Sequence, residues 1–228
     1  CDPVGQGDIG NMLYGIAKYT QMLLMWGCDM ETTTWGWGGQ LASNYCFWLT
    51  ELGIKQIYIC PDVNYGNAVH ADKWIPVYPN TDSALQLAII YTWLQSTYDK
   101  DFIATHTVGF DIFKDYVLGK EDGIPKTPKW AEPICGVPAR TIKALARKWA
   151  KEATTIAHCN GGSYIRSTYS HEPARLEVAC LAMQGLGKPG RNQFKFIEWG
   201  TYGLPSANPA PRPLGRTFID KAYRGFHF

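Results

Sequence analysis

Three short segments concentrate the residues that can do chemistry. They read Trp26-Gly27-Cys28-Asp29, Cys60-Pro61-Asp62-Val63-Asn64 and Pro79-Asn80-Thr81-Asp82. Each follows an apolar run of strand type, and the first and third lead into helical patterns. In an open α/β sheet, loops at the carboxyl ends of neighbouring strands form one crevice, and ligands bind there. Gly27 lets the backbone turn tightly and approach a ligand. Asp29, Glu31, Thr32 and Thr33 then offer acceptors and hydroxyls, and Gly36-Trp37-Gly38-Gly39 leads into a helix whose free N–H groups can hold a phosphate. The spacing is not G-x-G-x-x-G, which argues against an ordinary nicotinamide dinucleotide. A plain strand-to-helix turn uses the same residues. Asp62 can accept from ribose hydroxyls, or serve as a turn residue after Pro61. Asp82 opens a helix, where the dipole favours a carboxylate whatever its task. A carboxylate there can also take the adjacent N1–H and N2–H₂ of guanine, a pair that adenine lacks. Together the three loops suggest a ligand that carries a nucleotide.

The elements that position these loops follow a simple pattern. Gln21 to Trp26 is a short apolar run stopped by Gly27, which favours a buried strand. Leu41, Tyr45, Trp48, Leu49 and Leu52 recur at helical spacing, with Gly53 as a stop. Ile57-Tyr58-Ile59-Cys60 is a second strand, so a right-handed parallel βαβ unit is expected. Trp74 to Tyr78 is a third extended run. A helix from Thr81 or Asp82 carries Ala84, Leu85, Leu87, Ala88, Tyr91 and Leu94, and is apolar on most sides, hence largely buried. Residues 98–135 read as an irregular edge lobe. Ile142, Leu145, Ala146, Trp149 and Ala150 mark another helix, with Pro138 at its start. Thr154 to Cys159 is a fourth strand, followed by Gly161-Gly162-Ser163-Tyr164, and Pro173 opens a helix through Met183. The fold class is therefore α/β: a Rossmann-like parallel sheet flanked by helices, with an irregular C-terminal tail. The expected division is an α/β cofactor-binding domain over 1–190 and an extended tail or interdomain segment over 191–228.

Composition removes other classes. The 228 residues are 46% hydrophobic and 18% charged, which opposes disorder. The formal net charge of +2 comes without a basic run, so nucleic acid is not an expected partner. No run is long enough to span a membrane. Seven cysteines, at 1, 28, 46, 60, 135, 159 and 180, are odd in number and lack C-x-x-C. This argues against a disulfide framework and against a zinc or iron–sulfur site built from this chain alone. Reduced cysteines point to the cytoplasm. The sequence opens on Cys1 as if in mid-protein, and an excised domain or partial chain of a larger protein is expected.

The ordered succession of motifs carries a resemblance. Met25-Trp26-Gly27-Cys28-Asp29-Met30-Glu31-Thr32-Thr33 resembles the W-G-x-D-P-E-T-T segment of molybdopterin oxidoreductases of the dimethyl sulfoxide reductase type. Ile59-Cys60-Pro61-Asp62, followed by His70-Ala71-Asp72-Lys73-Trp74-Ile75-Pro76 and Pro79-Asn80-Thr81-Asp82-Ser83-Ala84-Leu85, is similar to the family's D-P, A-D-x-W-(I/L)-P and P-G-T-D-x-A-L succession. Gly136-Val137-Pro138 through Ala150, Gly161-Gly162, and Ala182 to Gly190 resemble its later segments, so the likeness covers roughly residues 20–195. Two departures stand out: Asn80 replaces the glycine of P-G-T-D, and Met30 replaces the proline after Asp29. The family carries molybdenum or tungsten on two pyranopterin guanine dinucleotides. The resemblance implies that this chain holds one of them: Asp82 at the guanine, Asp62 with Cys60 and Asn64 near the ribose, and Trp26 to Thr33 at the diphosphate. Pro79 and Thr81 would border the base, and Gly161 and Gly162 would approach the pterin or the substrate funnel. The metal ligand and the iron–sulfur cysteines of members that have them lie outside this region, so no metal ligand is assigned here.

Within the family, the aromatic-rich wording is most like the large subunit of transhydroxylases, anaerobic enzymes that move hydroxyl groups between trihydroxybenzenes. Other reductases of the family, acetylene-hydratase-like enzymes and a non-catalytic nucleotide-binding module are the alternatives. Other domains of the same subunit, an iron–sulfur small subunit and a small-molecule substrate are the implied partners. His158, Tyr164, Arg166, Tyr169 and His171 gather around the end of the fourth strand. In a transhydroxylase-like site a tyrosine can orient a phenolic hydroxyl or move its proton. Tyr164, directly after Gly161-Gly162-Ser163, is the first candidate; the same position suits a tyrosine lining an interdomain surface.

Overall fold

The computed structural model describes residues 9–32, 41–158 and 167–195. Its centre is a five-stranded, wholly parallel sheet in the order β3-β2-β1-β4-β5. The strands are β1 (Met22–Trp26), β2 (Lys55–Ile59), β3 (Lys73–Ile75), β4 (Thr154–His158) and β5 (Gln193–Lys195). Met22 pairs with Lys55 on one side and with Thr154 on the other, so β1 is the central strand. The strand order reverses there: β2 and β3 build outward on one side, β4 and β5 on the other. In open α/β sheets ligands bind at such a reversal, which here falls between the carboxyl ends of β1 and β4.

All five residues of β1 are buried, as expected for a strand covered on both faces. Alternation sends Met22, Leu24 and Trp26 into one core, and Leu23 and Met25 into a second. β2 divides likewise, with Ile57 and Ile59 against Tyr58. The first core is roofed by α4 (Asp82–Leu94), α7 (Pro128–Cys135), α8 (Ala139–Lys151) and α9 (His171–Gln184). The second is closed by α1 (Ile9–Tyr19) and α2 (Leu41–Glu51), and α3 (Tyr65–His70) packs against α2.

α4 is buried along most of its length, as its apolar pattern predicts. Its polar atoms are anchored: Trp93 Nε1 donates to the Ala146 carbonyl at 2.7 Å, and Gln86 Nε2 to that of Pro173 at 3.0 Å. Trp149 donates to Gln184 Oε1 at 2.8 Å, and Gln184 passes the link to the Thr154 carbonyl at 3.1 Å. These buried donors all find acceptors, which a buried indole or amide needs.

Several elements differ from the sequence reading. Residues 98–135, read as irregular, hold α5 (Lys100–His106), α6 (Phe110–Val117) and α7. α5 is started by Asp99, whose side chain accepts from Phe102 N–H at 3.0 Å, and α7 by Thr127, which accepts from Trp130 N–H at 3.1 Å. α3 follows the second loop. β5 extends the sheet into the stretch read as the start of the tail. The third strand stops at Ile75, three residues short of the predicted end. Among the described residues, no helix is long and apolar enough to cross a membrane.

Candidate functional site

The three predicted loops lie at the same end of the sheet, after β1, β2 and β3, which are neighbours in it. Gly27 turns the first loop with φ 57° and donates its N–H to the Ile59 carbonyl at 2.9 Å, tying the first loop to the end of β2. Asp29 then uses its carboxylate locally. Oδ1 accepts from the N–H groups of Glu31 and Thr32, both at 3.0 Å, and Oδ2 accepts the Thr32 hydroxyl at 2.5 Å. The side chains of Asp29 and Thr32 thus shape the loop, in the manner of an Asx turn. Gly66 of α3 sits against it: a Cβ there would stand 2.9 Å from Asp29 Oδ1 and 3.3 Å from the Tyr58 ring. Cys28 and Met30 are buried in the second core, so Met30 replaces a proline as a core residue.

The second loop is an Asn-built helix start. Asn64 Oδ1 accepts from Asn67 N–H at 3.0 Å and caps α3. Asn67 Nδ2 donates to the Asp62 carbonyl at 2.9 Å and to Cys60 Sγ at 3.1 Å. Trp74 Nε1 holds the Cys60 carbonyl at 3.0 Å. Burial pushes the Cys60 thiol above its ordinary pKa. The backbone is therefore fixed from within, while the Asp62 side chain is exposed.

The third loop positions Asp82. Tyr78 N–H donates to the Cys135 carbonyl at 2.9 Å, and Thr81 Oγ1 donates to the Tyr78 carbonyl at 2.6 Å. Asn80 has φ 61°, the single positive-φ residue other than glycine among the described residues. Asparagine is one of the few residues that enter this region readily, so it performs the turn that glycine makes in P-G-T-D. Asp82 is buried, with its Oδ1 accepting from Trp26 Nε1–H at 2.7 Å.

The structure thus sorts the predicted residues. Asp62 and Pro79 are exposed, and Asn64 and Thr81 half-buried, around the loop ends. Trp26, Cys28 and Cys60 are buried and act from beneath. Thr33, Gly161, Gly162, Tyr164 and Arg166 lie outside the described residues, as do Gly36 to Gly39. Tyr169 and His171 are exposed at the start of α9, with ring centroids 6.3 Å apart.

A parallel sheet with acid-bearing loops at its carboxyl ends and a reversal at its central strand defines an open, doubly wound α/β domain. No protein-family model matches the chain. Curated relatives do. The chain is 41% identical over 206 residues to the pyrogallol hydroxytransferase large subunit of Pelobacter acidigallici, a match covering 89% of this chain and 23% of that protein. It is 32% identical over 220 residues to a trimethylamine-N-oxide reductase of Haemophilus influenzae, covering 90% and 26%. It is 34% identical over 202 residues to the dimethyl sulfoxide/trimethylamine N-oxide reductase of Rhodobacter capsulatus, covering 85% and 24%. Acetylene hydratase from Pelobacter acetylenicus has a similar fold, with a TM-score of 0.53 at 22% identity over 74% of this chain and 21% of that one. These relatives are molybdopterin enzymes of the dimethyl sulfoxide reductase family, and the chain is homologous to one segment of them. It spans about a quarter of the length of the curated relatives named here.

Proposed function

We propose that this chain holds one pyranopterin guanine dinucleotide of a molybdenum or tungsten enzyme that transfers hydroxyl groups between trihydroxybenzenes. Asp82 carries the nucleotide part of the reading. It sits where the family's P-G-T-D motif places its aspartate, at the carboxyl end of the sheet, with one oxygen anchored by an indole. That anchor fixes the plane of the carboxylate, so its acceptors are oriented before a base arrives. The donor set suits the group: a carboxylate for N1–H and N2–H₂ of guanine, and the exposed Asp62 for ribose hydroxyls. The Asp29 carboxylate is already engaged by the Glu31 and Thr32 N–H groups, which lessens its repulsion of a diphosphate; the donors to the diphosphate are then proposed to come from the rest of the first loop. When bound, the cofactor's metal supplies the redox or oxygen-transfer chemistry. This chain binds and orients.

The choice of transhydroxylase over reductase rests on the extent of the match: 41% identity holds over 206 residues for the hydroxytransferase, against 32–34% over 202–220 residues for two reductases and 42% over only 120 residues for others. Tyr164 is proposed to orient a phenolic hydroxyl. The remaining domains of the same subunit, with an iron–sulfur small subunit, are the proposed partners. Phe47, Val63 and Tyr65 are exposed near the loop end and suit burial against them. The cytoplasm is the proposed compartment: the five described cysteines are buried and form no disulfide with one another.

The test uses the full-length protein. Purified material should contain molybdenum or tungsten, release guanine nucleotide on acid hydrolysis, and convert pyrogallol to phloroglucinol. Absence of both metal and guanine nucleotide would overturn the enzyme reading. Presence of both, without hydroxyl transfer but with N-oxide reduction, would move the chain to the reductases.

A further inference from the structure

Glu31, Cys46 and His70 come from three separate elements and meet in the second core. Glu31 lies in the loop after β1, Cys46 in α2, and His70 at the end of α3. Their ligand atoms all lie within 4.8 Å of one another. The side chains of Glu31 and His70 are 1% and 2% exposed, and Cys46 is fully buried. His70 Nε2 is 3.0 Å from Glu31 Oε2. Yet neither that nitrogen nor either carboxylate oxygen makes a hydrogen bond among the described residues. The two groups are close without the approach angle of a hydrogen bond.

A buried carboxylate with two unpartnered oxygens is costly. An ion pair with an imidazolium would relieve part of that cost, but it leaves one carboxylate oxygen unused. Two ligands converging on one ion account for the geometry better. Glu31 Oε2 and His70 Nε2 stand 3.0 Å apart without a hydrogen bond between them, and the Cys46 thiol lies within 4.8 Å of both residues' ligand atoms. We propose that Glu31, Cys46 and His70 bind a divalent cation of the zinc class.

The chemistry of the set supports this choice. One thiolate, one imidazole and one carboxylate make a mixed S, N and O site, which suits zinc rather than calcium or magnesium. Zinc bonds of about 2.0–2.3 Å place neighbouring ligand atoms about 3–4 Å apart, within reach of the observed cluster by side-chain rotation. The charges also close: a dication, a thiolate, a carboxylate and a neutral imidazole sum to zero, the state a dry core favours. Binding releases the thiol proton, and the imidazole must be neutral to donate its lone pair. Phe47 stands edge-on to the His70 ring, with centroids 4.6 Å apart, and restricts its rotation. Three protein ligands leave a fourth position for water or a further donor. The metal would clamp the first loop to α2 and α3, beneath the residues after β1.

The proposal does not depend on the pterin reading. Full-length protein is produced in zinc-supplemented medium, desalted, and its zinc measured by mass spectrometry beside Cys46→Ser, His70→Gln and Glu31→Gln. About one zinc per chain is expected to be lost in each variant. Zinc-edge absorption of the unaltered protein, which needs no variant to fold, is expected to show one sulfur at about 2.3 Å with N/O ligands. A wild-type protein without zinc, an unchanged zinc content in all three variants, or a zinc shell without sulfur would each overturn the site.

Discussion

Trp26 Nε1 donates to Asp82 Oδ1 at 2.7 Å and so joins the end of β1 to the start of α4 across 56 residues of sequence. The indole is buried against Trp149, with ring centroids 6.4 Å apart, and Trp149 meets Trp93 edge-on at 4.9 Å. A buried cluster of three indoles therefore holds a carboxylate that would otherwise swing with its helix end.

Trp26→Phe keeps most of the apolar packing and removes that donor. Hydrogen bonds to charged groups contribute about 1.5–3 kcal/mol, and more is lost where the acceptor is left buried. Chemical denaturation of the full-length protein should show a loss of that order. Guanine nucleotide retained after desalting should fall with it, because the carboxylate loses its fixed plane.

Asn80 tests the turn. With φ 61° it already lies in the left-handed region, so Asn80→Gly should change stability by less than about 1 kcal/mol. Asn80→Val places a β-branched side chain in that conformation and should cost about 1–2 kcal/mol. Thermal melts of the two variants check the order.

Asp99 predicts the acid limb. The Lys188 ammonium and the Phe102 N–H hold its carboxyl below the ordinary carboxylate range. A carboxyl whose pKa is lowered by folding contributes stability above its unfolded value, near about 3.9, and loses it as pH falls through the folded value. The stability of the wild type should therefore drop more steeply below about pH 4 than that of Asp99→Asn. Denaturation midpoints between neutral and acid pH measure the difference. Asp99→Ala should also lose the α5 cap, about 1 kcal/mol at neutral pH.

Asp62 separates binding from folding. Its side chain is exposed, so Asp62→Asn should leave stability within about 0.5 kcal/mol of wild type. Its effect should appear in guanine nucleotide retention alone.

Much of this was legible in the sequence, for identifiable reasons. β1, β2, α4 and α8 have apolar periods long enough to read, and both faces of β1 are covered, so its run is continuous. α3 was hidden because six residues give no period, and its cap, Asn64, looked like part of a turn. Of the three short helices after Leu94, α5 and α7 start on Asp99 and Thr127, signals that the aromatic clusters obscured, and α6 starts on Gly109. β5 is three residues that follow the turns at Gly187 and Gly190, and it exists because β4 offers an edge to pair with. At the site, motif spacing pointed to Asp82 but not to its partner, since the Trp26 bond crosses the sheet. Glu31, Cys46 and His70 left no local signal either. Spacings of 15 and 24 residues read as nothing until α2 and α3 pack together.

The central claim is that the loops after β1, β2 and β3 hold a guanine dinucleotide, with Asp82 at the base. An experimental structure of the full-length protein, purified with its cofactor, tests it most directly. A guanine edge within about 3 Å of the Asp82 carboxylate, with its ribose beside Asp62, is the expected result. A cofactor whose guanine lies away from Asp82, or a crevice filled by protein from another domain, would contradict it.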